Sequence, residues 1–344
     1  MAEKAKSRWR QIVTYVTLIA LALLIYLSWD QIQDTIDNFG RVHISILTAL
    51  VIWKAVAFHG YTALYQDLFG ILGKRIKYWP MYKVSLEMNF VNSVFPSGGV
   101  TGFSYFGLRM KSFGISVGKS TLVQLLRFVT TFISFQFLIF IALLILAIFG
   151  DASNFMILIA SSLATLLFVG TAILTYIIES RRRIDSFFTF MTKALNRVIQ
   201  IVSPKNPEAI SIMAARKMFF DLHDNWLVVK KNFSKLKMPF ANITIANVGE
   251  LAALYTVFLA FGEAVNPGAL IIAYAIANFA GLISVLPGGI GIYEGLMVTV
   301  FAAAGVSPAI TIPAIIMYRI VTMVIQLPIG YYYYHKTINS PSGI

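Results

Sequence analysis

Apolar residues along this chain fall into long, nearly uninterrupted runs. The runs cover residues 12–29, 44–66, 120–149, 155–178, 240–262 and 308–334. Each is long enough, or nearly so, to cross about 30 Å of hydrocarbon as a helix. The alternating pattern of a β-barrel is absent, so helices must satisfy the backbone hydrogen bonds. The sequence therefore predicts an all-α polytopic membrane protein with about six spanning helices.

The first run, residues 12–29, predicts a membrane helix that is retained. It is too long and bulky for the apolar core of a signal peptide, and no small-residue cleavage site follows it. We expect the acidic residues after it, Asp30, Asp34 and Asp37, to form an outer loop.

Two further apolar segments, 84–108 and 268–304, are interrupted in the middle by proline and glycine. Proline does not continue a helix well, and paired glycines let the backbone turn. Basic residues flank the first segment, whereas residues 239–318 contain no Lys or Arg. We therefore predict two re-entrant helical hairpins that enter from opposite sides, with a full crossing as the alternative for each. The residues expected to shape the site at the turns are Pro96, Gly98, Gly99, Pro287, Gly288 and Gly289.

The two interrupted segments belong to an internal repeat. The Ser-Val-Phe-Pro-Ser-Gly-Gly of 93–99 matches the Ser-Val-Leu-Pro-Gly-Gly of 284–289 with one insertion, and two later matches follow in register. Within a single membrane domain over 1–344, we predict repeat 1 at 44–149, a basic cytoplasmic linker at 179–238 and repeat 2 at 239–334. Inverted repeats place a substrate site near the midplane, where half-helix N-termini suit an anion.

Composition and charge agree with this assignment. The chain is 58% hydrophobic and 12% charged, with a mean hydropathy of +0.75, whereas soluble domains carry about a quarter charged residues. All but four of the 28 Lys and Arg fall in segments on one side of the predicted topology. By the positive-inside rule, both termini are predicted in the cytoplasm and the membrane is the inner one. The net charge of +13 is thus explained by topology rather than by nucleic-acid binding.

The linker 179–238 predicts helices on the inner leaflet, because Phe187, Phe188, Met191, Leu195, Val198 and Ile199 recur at helical spacing. A solvated connector with a small buried face is the alternative. The chain has no cysteine and four scattered histidines, so we expect neither a metal site nor a cofactor.

Charged residues inside apolar runs are the candidate site residues, since each costs about 2.5–3.5 kcal/mol on insertion scales unless it has partners or water. Arg127 and Arg319 lie about ten residues into their helices and occupy matching positions in the repeat. We expect them to bind a phosphate or head group; a structural pair with an acid or carbonyl is the alternative. Lys54 and Glu250 are near-equivalent, and either form a buried ion pair or face the cavity separately.

Three further charged residues flank the predicted hairpin turns. Glu294 follows the second Gly-Gly, at the position of Ser104 in the first repeat. It is expected to contact a cationic head group, with capping of a half-helix as the alternative. Glu87 and Arg109 are expected to be interfacial anchors.

The run Pro-Gly-Gly-Ile-Gly-Ile-Tyr-Glu at 287–294, with its partner near Pro96, resembles the flippase-like membrane domain of lysylphosphatidylglycerol synthases. The resemblance covers roughly residues 10–335. It implies translocation of lipids with modified head groups. In the bacterial multiple peptide resistance factor this domain is joined to an aminoacyl-transferase domain, and some relatives are fused to glycosyltransferases that use polyprenyl-phosphate carriers. Membrane helices and one linker use up this chain, so we expect no such catalytic domain here.

The predicted function is a lipid flippase or transporter that moves an anionic, modified-head-group or polyprenyl-linked lipid between leaflets. Membrane lipids are the expected partners, with a possible separate synthase or glycosyltransferase. The alternatives are a membrane-embedded enzyme or partner subunit acting on lipid-linked substrates, and a solute transporter with inverted repeats. We expect no catalysis, since paired acids, metal-ligand spacing, a nucleophile elbow and a Walker motif are missing from the sequence.

Overall fold

The computed structural model describes residues 2–95, 100–149, 153–187, 189–190, 212–283 and 291–340. Helices dominate this part of the chain, and it contains no strand. In chain order the helices are α1 (Ala2–Leu27), α2 (Trp29–Asn38), α3 (Ile44–Leu47), α4 (Ala49–Ile71), α5 (Tyr78–Val94), α6 (Val100–Lys111), α7 (Val117–Phe149), α8 (Asn154–Ile178), α9 (181–187), α10 (Ile212–Lys231), α11 (Lys237–Ala260), α12 (Pro267–Ile283), α13 (Ile292–Ala303) and α14 (Pro308–Asn339).

Five helical segments are long and apolar enough to cross a membrane: Ile44–Ile71, Val117–Phe149, Asn154–Ile178, Phe233–Ala260 and Pro308–Asn339. The pair α1 and α2, which meets at an angle of 54°, makes a sixth span if the two helices cross the membrane together. The predicted all-α polytopic membrane protein, with about six spanning helices, is confirmed.

The acidic segment after α1 is not a loop as expected. Residues 29–38 form α2, which packs against α14. Asp30, Asp34 and Asp37 lie on its exposed side, while Thr35 is buried. Three aspartates at a spacing of three to four residues share one helix face, so their spacing fits an amphipathic helix rather than the expected loop.

Helices α4 and α11 form the centre of the bundle and run antiparallel in close contact. Two glycines permit this approach. A Cβ added to Gly60 would lie 2.6 Å from the Asn242 carbonyl oxygen, and one added to Gly249 would lie 3.0 Å from the Ala57 backbone nitrogen. Larger side chains at these positions would force the two helices apart, and with them any groups that bond across the pair.

The two interrupted segments form two pairs of packed helices, α5 with α6 and α12 with α13. In the first pair the chains run antiparallel, because Glu87 contacts both Tyr105 and Arg109 while Asn92 lies against Gly102. Helix α5 also packs against α14, and α12 packs against α7. The second helix of each pair, α6 or α13, packs against α7 or α14 respectively. Each pair therefore contacts long helices from both predicted repeats.

Helix α10, from the predicted linker, packs against α7 and buries Leu222 and Val229. Lys230 of α10 donates a 2.5 Å hydrogen bond to Glu179, which lies at the end of α8. This bond lowers the pKa of the Glu179 carboxyl group. This packing favours a connector with a small buried face over helices lying free on a leaflet. The apolar residues Phe188, Met191, Leu195, Val198 and Ile199 lie outside the described residues.

Candidate functional site

A polar cavity of about 350 Å³ lies between the central pair, α4 and α11, and helices α5, α7, α12, α13 and α14. Its lining combines charged groups, amides and tyrosines within a bundle that is otherwise apolar. The polar residues that line it include Lys54, Tyr61, Tyr65, Ser85, Asn89, Asn92, Arg127, Glu250, Tyr274, Asn278, Tyr293, Tyr318, Arg319, Thr322 and Gln326. Four of the five predicted substrate-binding residues are among them, and the fifth, Glu294, lies directly behind Arg319.

Lys54 and Glu250 form an ion pair between α4 and α11. The Lys54 Nζ lies 2.6 Å from Glu250 Oε2 and 2.8 Å from Oε1. The hydroxyl group of Tyr318 donates a further 2.7 Å hydrogen bond to Oε2. Each charged residue is 7% exposed. Of the two arrangements that the sequence left open, the structure has the buried pair.

Arg319 on α14 pairs with Glu294 on α13. The same carboxylate accepts a 3.2 Å hydrogen bond from Gln31 Nε2 of α2 and a 2.7 Å bond from the backbone nitrogen of Gly291. Glu294 thus neutralises Arg319 and caps α13. Pairing with an acid was the alternative for Arg319, and helix capping was the alternative for Glu294. Its contact with a cationic head group stays a prediction.

Arg127, which the predicted repeat aligns with Arg319, has different surroundings. Its guanidinium carbon lies 6.0 Å from the ring centre of Tyr61 and 5.8 Å from that of Tyr65. In the described part of the chain, no carboxylate lies within ion-pair distance of it. Arg127 therefore lines the cavity with its guanidinium group beside three aromatic rings, those of Tyr61, Tyr65 and Phe128. Such rings are a much weaker partner for a cation than a carboxylate.

Several polar cavity residues were missed by sequence reasoning. Gln326 is 8% exposed, and its oxygen accepts a 2.8 Å hydrogen bond from Asn89. Its Nε2 is buried and has no hydrogen-bond partner among the described residues. A signal was present, because Arg319, Thr322 and Gln326 recur at spacings of three and four and so share one face of α14.

The expectation that Glu87 is an interfacial anchor was wrong. Glu87 is 1% exposed and accepts hydrogen bonds from Tyr105 at 2.8 Å, Arg109 at 3.0 Å and Thr337 at 2.8 Å. These bonds tie α5, α6 and α14 together. The carboxylate of Glu87 tolerates burial because it has three donors, one of them a guanidinium.

The residues expected to shape the turns, Pro96, Gly98, Gly99, Pro287, Gly288 and Gly289, lie outside the described residues. The described acids and histidines include no group of three that could hold a metal ion.

The fold and the cavity define the class: a multi-pass α-helical membrane protein whose central polar site is built from residues on seven helices, α4, α5, α7, α11, α12, α13 and α14. Residues 12–330 match the profile of the family described as "Lysylphosphatidylglycerol synthase TM region". The chain belongs to this family, as its sequence motif suggested.

Archaeal relatives extend the similarity. The chain is 21% identical to the UPF0104 membrane protein MJ1595 of Methanocaldococcus jannaschii over 91% of its own length and 90% of that protein. It also matches UPF0104 membrane proteins of Methanothermobacter thermautotrophicus at 32% and 39% identity. Those two matches span only 22% of the length of the relatives.

Proposed function

We propose that this protein moves a lipid with an anionic phosphate head group from one leaflet to the other, and that the head group occupies the polar cavity. The observation that carries this proposal is the charge of the cavity. Lys54, Arg127 and Arg319 contribute three positive charges, and Glu250 and Glu294 contribute two negative ones. One positive charge is left, which suits a phosphodiester.

Arg127 is the group that supplies this charge. Its planar guanidinium presents donors in a fork that matches two phosphate oxygens. Tyrosine hydroxyl groups offer further donors around the cavity, as does Nε2 of Gln326, which has no partner in the part of the chain that the structure describes. A charged group at membrane depth costs about 2.5–3.5 kcal/mol on insertion scales. A phosphate that pairs with Arg127 therefore offsets part of the cost of removing water from the guanidinium group and from the head group.

The proposal includes an orientation. We place the protein in the inner membrane with both termini in the cytoplasm, because the basic residues cluster on one side of the helices. A head group would then reach the cavity from a leaflet and leave towards the other without crossing hydrocarbon unassisted.

The test is a lipid translocation assay on purified protein in vesicles of phosphatidylcholine and phosphatidylglycerol. The probe is phosphatidylglycerol with a head-group fluorophore that a membrane-impermeant reductant bleaches in the outer leaflet. We expect wild-type protein to expose the inner-leaflet pool. Arg127→Ala should slow this about tenfold or more, since charge-assisted hydrogen bonds contribute about 1.5–3 kcal/mol, and Arg127→Lys should restore it in part.

The matched control is Arg182→Ala, which removes the same charge from an exposed position outside the cavity. It should translocate lipid as the wild type does. Equal rates for Arg127→Ala and wild type at equal protein content would contradict the proposal. Recovery of a chemically altered lipid from the vesicles would instead favour the embedded enzyme.

A further inference from the structure

A second cavity lies beside the polar one, between the bent α1 and α2 pair and α14. It is a groove of about 360 Å³, close in size to the polar cavity. Its walls are apolar, formed by side chains such as Leu21, Ile25 and Ile32 on one side and Ile320 and Val324 on the other. Ser28, at the bend, is the one small polar residue among them.

The groove and the polar cavity are adjacent and share two lining side chains. Met323 and Leu327 line both. On α14 the polar residues Arg319, Thr322 and Gln326 form one stripe, Met323 and Leu327 the next, and Ile320 and Val324 the stripe beyond, because residues three and four apart share a helix face. Helix α14 therefore turns a polar face to one cavity and an apolar face to the other, with a narrow boundary between them.

The bent pair of α1 and α2 makes a polar contact with the rest of the bundle at each end of the groove, and the groove is exposed between these two contacts. At one end, the hydroxyl oxygens of Thr17 and Tyr334 lie 3.4 Å apart. At the other end, Nε2 of Gln31 donates a hydrogen bond to Glu294. Between these contacts Ile25 is 51% exposed and Val324 is 68% exposed. Both lie in membrane-spanning segments, so the groove opens sideways to the hydrocarbon of the bilayer.

We infer that this groove holds a hydrocarbon chain of the same lipid whose head group occupies the polar cavity, an inference that rests on the proposed function. The lipid enters sideways between α1 and α14, with its head group near Arg319 and Gln326 and its chain against Ile320 and Val324. Met323 lies at the junction, where an unbranched and flexible side chain adapts to different lipids. The substrate class is accordingly an amphipathic lipid with at least one long chain, not a free anion.

The test maps the chain directly. The probe is phosphatidylglycerol with a diazirine midway along one acyl chain, in phosphatidylcholine vesicles that contain the purified protein. After illumination, the labelled peptides are identified by mass spectrometry. We expect label on α1 and α14 at residues that line the groove. Val324→Trp and Ile25→Trp, which fill the groove from its two walls, should each lower that label about tenfold.

Leu166→Trp is the matched control, since Leu166 is a similarly exposed residue on the spanning helix α8. It should leave the labelling unchanged, and a normal thermal unfolding midpoint will show that all three variants fold. Label distributed evenly over the outside of the bundle, or unaffected by Val324→Trp and Ile25→Trp, would overturn the inference. Label in the groove without lipid translocation would overturn the proposed function and leave the chain site standing.

Discussion

Three cations line the polar cavity, and each is stabilised by a different set of neighbours. Lys54 has a carboxylate and its tyrosine donor, Arg319 has a carboxylate that also caps α13, and Arg127 has aromatic rings. Removing a carboxylate from a buried pair leaves an uncompensated charge and costs more than the pair itself contributes. The three sites should therefore respond differently to substitution.

At the residue scale, Glu250→Gln should destabilise the protein by about 3–5 kcal/mol, because it leaves Lys54 charged and buried without a counter-ion. The measurement is the midpoint of thermal unfolding in detergent, followed by tryptophan fluorescence. The double variant Lys54→Met, Glu250→Gln should recover much of the loss. A double variant that unfolds earlier than Glu250→Gln alone would show that the pair is not coupled in this way.

Substitution of Arg127 should slow lipid translocation without lowering the stability of the protein. Arg127→Ala removes a cation that has no carboxylate partner among the described residues, so its unfolding midpoint should match or exceed that of the wild type. The same thermal measurement, made beside the translocation assay, checks this. An unfolding midpoint well below that of the wild type would assign Arg127 a structural role instead.

At the scale of elements, the central pair depends on its glycines. Gly60→Ala and Gly249→Ala should each destabilise by about 1–3 kcal/mol, because the added Cβ meets backbone atoms of the facing helix at 2.6 and 3.0 Å. The control is Gly70→Ala in the same helix α4, where no atom lies within 4 Å. That change should be neutral or stabilising, as alanine favours helix over glycine. Equal unfolding midpoints for all three variants would contradict the close approach.

The sequence predicts the long helices well and their breaks less well. An uninterrupted apolar run leaves a chain in hydrocarbon no alternative to a helix, which is why α7, α8 and α11 lie where expected. The bend between α1 and α2 depends on packing against α14, which a local pattern does not encode. The residues of the candidate site likewise fall into those that the sequence predicts and those that only the structure shows. Depth in an apolar run identified Lys54, Arg127, Glu250 and Arg319, whereas Asn89 and Tyr318 matter only through partners on other helices.

At the scale of the whole molecule, the predicted orientation can be tested on a chain that has no native cysteine. Single cysteines at Lys83 and Lys111, both exposed, bracket the first hairpin. Cysteines at Ala264 and Ala309, also exposed, bracket the second. We expect an impermeant thiol reagent to label the first two only from the cytoplasmic side and the last two only from outside. Labelling of either pair from opposite sides would show a full crossing and would break the predicted repeat symmetry.

Contacts between helices that are far apart in the sequence, α5 with α14 and α7 with α12, have a consequence for biogenesis. Helix α5 packs on α14, which the ribosome adds more than two hundred residues later, so the first half leaves the synthesis machinery without its partner surface. Contacts between residues this far apart in the sequence form late, so the contact surfaces of the first helices stay unpaired in the membrane until the last helices are inserted. Neither half should be stable in a cell on its own, whereas two separately translated pieces, divided between α9 and α10, should protect each other from proteolysis and assemble into one bundle.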